Sequence, residues 1–132
     1  MNPAPLLSAP LLVQAHVAAA FAAFLLGVLQ FLRPKGDAGH RMLGWAWVLI
    51  MATVALSSFG IHGMAGPGHF SWIHGLSAYT LFGLIGGVIQ ARKGLARAHR
   101  NSMIGLFLGA LLITGIFALT PGRLMGQVVF GW

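Results

Sequence analysis

Leu11-Leu12-Val13-Gln14-Ala15-His16-Val17-Ala18-Ala19-Ala20-Phe21-Ala22-Ala23-Phe24-Leu25-Leu26-Gly27-Val28-Leu29-Gln30-Phe31-Leu32 carries no charged side chain from end to end. At about 1.5 Å per residue, a helix of that length crosses the roughly 30 Å of hydrocarbon in a bilayer. Three further runs have the same character: Met42–Gly60, Trp72–Ala91 and Met103–Thr120. The chain of 132 residues is 58% hydrophobic and 7% charged, whereas soluble domains carry about a quarter charged residues. Too few charges remain to cover a water-facing surface, so the sequence reads as an integral membrane protein. It implies a single domain over 1–132, with helices at about 11–33, 42–60, 72–92 and 101–120. A C-terminal tail over 122–132 then lies at the membrane interface, with Leu124, Val128 and Trp132 four residues apart.

The two halves of the chain repeat one another. Gln14-Ala15-His16 leads through Gly27-Val28-Leu29-Gln30 to His40-Arg41-Met42-Leu43-Gly44. Trp72-Ile73-His74 leads through Gly87-Val88-Ile89-Gln90 to His99-Arg100-Asn101-Ser102-Met103. Each half is a helix hairpin, and both start on the same side of the membrane, so an axis along the membrane normal relates them. The fold expected is all-α: a four-helix up-down-up-down transmembrane bundle of two repeated hairpins.

Punctuation supports these spans. Ser8 is a candidate N-cap for the first helix, with Pro10 in its first turn, and Ser71 a candidate cap for the third. Pro34-Lys35-Gly36 and Thr120-Pro121-Gly122 stop the first and fourth, because proline cannot continue the hydrogen-bond ladder. Arg33, Lys35 and Arg41 flank one short loop, and Arg92, Lys93, Arg97 and Arg100 flank another. Only Arg123 lies at the opposite level. The positive-inside rule therefore makes loops 33–41 and 92–100 cytoplasmic, with both termini and Ile61–Ser71 outside a bacterial inner membrane. The net charge of +7 is thus a topology signal with some affinity for membrane lipids, and nucleic acid is not the expected partner.

Composition removes several chemistries. With no cysteine, disulfides, iron–sulfur clusters and thioether-attached haem are excluded. Asp37 is the only acid and lies in a loop, which argues against carboxylate-bridged di-iron sites and carboxylate proton relays. Ser57-Ser58 lacks an acid to orient a histidine, so backbone hydrogen bonding is its preferred reading.

Histidine is costly in hydrocarbon and marks a site with a partner. Helical spacing gathers His16, Ala20, Ala23, Gly27 and Gln30 on one stripe, and His40, Gly44, Trp47, Met51, Ala55, Ser58 and His62 on a second. The third stripe is His74, Ser77, Ala78 and Leu81. The fourth is His99, Met103, Leu106, Ala110 and Ile113. Two levels result: an outer pair, His16 with His74, and an inner pair, His40 with His99. Paired imidazoles on opposed helices can axially ligate a b-type haem, so His16, His74, His40 and His99 are the candidate cofactor ligands through haem iron. Interhelical hydrogen bonding is the plain alternative for the outer pair, and headgroup contact for the inner one. His16, His62, His69 and His74 gathered at the outer mouth are a weaker candidate for a bare metal ion. Gln30, Gln90, Arg41 and Arg100 suit a quinone headgroup, or else form a snorkelling polar rim.

Several stretches together resemble a known family. They are Gly27-Val28-Leu29-Gln30-Phe31-Leu32-Arg33-Pro34-Lys35-Gly36, His40-Arg41-Met42-Leu43-Gly44-Trp45, Ser57-Ser58-Phe59, Ile73-His74-Gly75-Leu76-Ser77, His99-Arg100-Asn101-Ser102-Met103-Ile104-Gly105-Leu106-Phe107 and Thr120-Pro121-Gly122-Arg123. Over nearly its whole length the chain is similar to the bacterial predicted membrane proteins grouped as domain of unknown function 2306. The resemblance implies a small polytopic inner-membrane protein with histidine at the levels of His16, His40, His74 and His99. It implies no established activity. Two functions follow from the sequence. One is a b-type haem protein passing electrons within the membrane. The other is a non-catalytic accessory subunit packed against a larger membrane complex, or a homodimer, through Gly83, Gly86, Gly87, Gly105 and Gly109. A small transporter is the weakest reading, for want of intramembrane carboxylates and an inverted repeat.

Overall fold

A computed structural model of the chain describes residues 1–61 and 72–131. Every regular element among them is helical: α1 (Ala4–Leu7), α2 (Leu11–Leu32), α3 (Ala38–Ser58), α4 (Trp72–Arg92), α5 (Ala96–Gly105), a π-helical segment (Leu106–Ile113), α6 (Thr114–Ala118) and α7 (Leu124–Phe130). The last long rod, Ala96–Ala118, is α5, the π segment and α6 end to end. Among the described residues, three rods are long and apolar enough to cross a membrane: α2, α3 and Ala96–Ala118.

Local chemistry sets the ends. Pro10, not Ser8, is the N-cap of α2. Ser8 instead closes α1, its hydroxyl donating to the Ala4 carbonyl. At the far end of α2, Lys35 folds back and donates to the carbonyls of Gln30, Phe31 and Arg33 at 2.7, 3.1 and 2.5 Å. A lysine so placed satisfies terminal carbonyls and offsets the helix dipole. The Asp37 carboxylate caps α3 by accepting from the His40 amide at 2.7 Å. The helix therefore starts before the apolar run at Met42, on residues that hydropathy alone leaves in the loop. Gly94, at φ +73°, ends α4. The amides of Leu95 and Gly94 return to the carbonyls of Gln90 and Ala91, the Schellman arrangement. The candidate cap Ser71 lies outside the described residues.

Each long rod touches two others. α2 packs on α3, α3 on α4, α4 on α5 and the π segment, and the π segment returns to α2. The core is Ala23, Trp47, Met51, Leu84, Leu106, Phe107 and Leu111. Small residues set the spacing. A Cβ on Gly27 would stand 2.5 Å from the Phe107 ring, and one on Gly83 would stand 2.8 Å from Leu106. Trp47 bridges α3 to α2 by donating its indole N–H to the Ala23 carbonyl at 3.0 Å. α1 and α7 pair with each other, and the Asn2 amide donates to the Val128 carbonyl at 2.8 Å.

The exterior is apolar. Phe21, Leu49, Phe82 and Ile116 each expose more than half of their surface, a belt suited to lipid rather than water. One expected stripe is displaced. Ile113 is exposed, while Phe107 and Leu111 are buried beside Leu106. In a π-helix the i to i+5 bonding widens each turn, so the inward face advances by one residue relative to α-helical counting.

Candidate functional site

The inner histidines meet. His40 lies in the first turn of α3, just behind the Asp37 cap, and His99 lies in the first turn of α5. Their ring centroids are 6.3 Å apart, with planes at 83°. His99 is held by its Nδ1, 2.8 Å from the Gly87 carbonyl of α4. A carbonyl can only accept, so Nδ1 carries a proton. Gln30 fixes the other side by donating to the His40 carbonyl at 2.7 Å. Across the layer, the Ser102 hydroxyl donates to Gln90 Oε1 at 2.8 Å.

This layer holds unmet hydrogen-bonding capacity. Among the described residues, His40 Nδ1, Gln30 Oε1 and Arg33 Nε are buried without a partner. Buried polar atoms normally pair with protein or ordered water. Arg41 and Arg100, by contrast, are exposed and do not join Gln30 and Gln90 inside.

The outer histidines use different partners. His16 Nδ1 is 2.7 Å from the Ser57 hydroxyl. Ser57 sends its own proton to the Val54 carbonyl at 3.0 Å, so His16 is the donor to Ser57. His74 is buried and stacks on Phe59, with ring centroids 5.8 Å apart. Below them lies a cavity of about 70 Å³ lined in part by His16, Ser58, Ser77, Thr80 and Thr114. Ser58 donates to the Ala55 carbonyl and pairs with Ser77. The space is well below the 300 Å³ or so of a small-ligand site, and suits a few waters bridging hydroxyls. His74 does not line it. His62 and His69, the other members of the candidate metal cluster, lie outside the described residues. No group of three or more metal-ligating side chains is present among those described.

The chain matches, over residues 13–129, the model of a family described as Predicted membrane protein (DUF2306). It belongs to that family. No curated protein and no solved structure matches it. The matched span takes in the long helices, save the first two residues of α2, and all four candidate histidines, so both layers are part of the DUF2306 unit and not an appendage to it.

Two contacts escaped sequence reasoning. Ser57 was read only as a backbone-bonded serine, yet it is the partner of His16. Ser102 lies three residues after His99 on the same helix face, and that spacing was the available signal for its contact with Gln90.

Proposed function

We propose that this DUF2306 protein is an up-down-up-down bundle of two transmembrane hairpins in a bacterial inner membrane, with both termini outside. Its inner histidine pair ligates a b-type haem. The observation that carries this reading is the approach of His40 and His99 from different hairpins. With ring centroids 6.3 Å apart and planes at 83°, His40 and His99 are the two side chains that would hold the haem iron.

The supporting contacts fit as well. His99 donates its Nδ1–H to the Gly87 carbonyl, the orientation metal-bound histidines commonly take, which fixes the tautomer. His40 has a buried ring nitrogen with no partner among the described residues. Arg33, also with an orphaned nitrogen, supplies positive charge for anionic substituents of a guest. When bound, the haem supplies a one-electron couple whose potential is set by its ligands, their hydrogen bonds and burial. The protein holds the rings and brings the site near the basic end of the helices. A quinone is the matching small electron carrier for Gln30 and Gln90 in the same layer.

The test is an absorption spectrum of solubilised protein from haem-replete cells. The reading predicts a Soret band that His40→Ala and His99→Ala each abolish and His16→Ala leaves in place. A colourless protein, or a band indifferent to His99→Ala, would overturn it.

One observation favours a second reading, an accessory subunit. Gly86, Gly105 and Gly109 have no atom within 4 Å of a built Cβ, so they leave helix surface open to close approach by another chain. Stoichiometric co-purification of a membrane partner with no chromophore would select it.

A further inference from the structure

Between α3 and α4 runs an open apolar groove of about 310 Å³, walled in part by Trp45, Val48 and Ala52 on one side and Leu81, Ile85 and Ile89 on the other. Counted along the helices, its walls are roughly 10–12 Å long. That is most of one leaflet, about 15 Å of hydrocarbon. One end is cationic. Arg92 lies one turn beyond Ile89, and its guanidinium carbon sits 5.8 Å from the centroid of the Trp45 ring. Arg41 lies one turn before Trp45 on α3, Lys93 follows Arg92, and all three are exposed. The only acidic side chain in the chain is Asp37, four residues before Arg41, so Arg41, Arg92 and Lys93 leave this end of the groove with net positive charge.

An apolar channel of leaflet length ending in net positive charge matches a molecule with an acyl chain and an anionic head. We propose that the α3–α4 groove binds an anionic phospholipid, with one acyl chain against Ala52 and Ile85 and its phosphate at Arg92. Basic pockets between membrane helices recognise such headgroups. Arg92 over the Trp45 face is placed for this, because the aromatic ring holds a guanidinium at the interface while leaving its edge available to phosphate. This site is separate from the histidine layers and does not rest on the haem reading.

Trp45 supplies the reporter. The protein is reconstituted into phosphatidylcholine vesicles in which a fixed fraction is either phosphatidylglycerol or phosphatidylcholine, brominated high on the acyl chain. The expected result is stronger quenching by the brominated phosphatidylglycerol, a preference of about fivefold or more. Trp45→Phe removes the excess. Arg92→Gln lowers the preference about fivefold, the equivalent of about 1 kcal/mol per cation near an anionic surface. Ala52→Leu, which fills the groove at a half-buried position, also lowers it. Equal quenching by the two lipids, or a preference unchanged in Arg92→Gln, would overturn the proposal. So would quenching that disappears as the protein-to-lipid ratio rises, which assigns the groove to a second copy of the chain.

Discussion

Gly27→Ala tests the packing on which the inner layer depends. The added methyl carbon would stand 2.5 and 2.6 Å from two carbons of the Phe107 ring and 3.2 Å from Trp47 Nε1. Carbon atoms in contact sit at about 3.5–4.0 Å, so the ring must retreat by about 1 Å. Its retreat must displace Phe24 and Phe31, both partly exposed. Phe107 stacks on Phe24 at 5.7 Å and meets the edge of Phe31 at 5.1 Å. Trp47 is pinned by its bond to the Ala23 carbonyl. Overpacking of this kind costs about 1–3 kcal/mol. Replacing glycine by alanine inside a helix returns up to about 1 kcal/mol. Gly86→Ala supplies that second term alone, because nothing lies within 4 Å of its Cβ. Equilibrium unfolding in mixed micelles of both variants separates the terms. Gly27→Ala is expected to be less stable than Gly86→Ala by about 1–3 kcal/mol. Equal stability of the two, or greater stability of Gly27→Ala, would refute the claim that α2 and the π segment are in close contact at this level.

Other perturbations follow from the same contacts. Asp37→Ala removes the α3 cap and is expected to cost about 1 kcal/mol in the same unfolding assay, with Asp37→Asn retaining most of it. Ser57→Ala deprives His16 of its acceptor and is expected to cost about 0.6 kcal/mol, the average for an interhelical hydrogen bond in a membrane, with about 1.7 as the upper limit. The chain has no cysteine, so a single cysteine at Lys35 or at Gly94 is a unique topology probe. Both are expected to react with an impermeant maleimide only when the cytoplasmic face is opened. Labelling of intact cells at either position would reverse the proposed orientation.

The inward faces of α2 and α3 were legible because helical spacing and residue size agree there. Ala23 and Gly27, then Trp47, Met51, Ala55 and Ser58, are the buried positions. The approach of His40 to His99 was legible from the repeat. The fourth stripe was not. Leu106–Ile113 is apolar throughout apart from Gly109, so hydropathy holds no phase information, and a π-helical stretch shifts the face without a marker residue. On α4 the buried polar face is His74, Ser77 and Thr80, one position from the Leu81 of the simple count. Thr80 is accommodated because its hydroxyl returns to the Leu76 carbonyl at 2.8 Å. The partner of His16 was illegible for a different reason. His16 and Ser57 are 41 residues apart, and no local pattern encodes a contact that depends on how two hairpin arms align.

The most direct measurement is the amount and spin state of iron in protein purified from haem-replete cells. Two imidazole ligands drawn from His40 and His99 predict one low-spin haem iron per chain in the electron paramagnetic resonance spectrum, with that signal lost or turned high-spin in His99→Ala. An iron-free protein, or a low-spin signal that survives both His40→Ala and His99→Ala, would contradict the account.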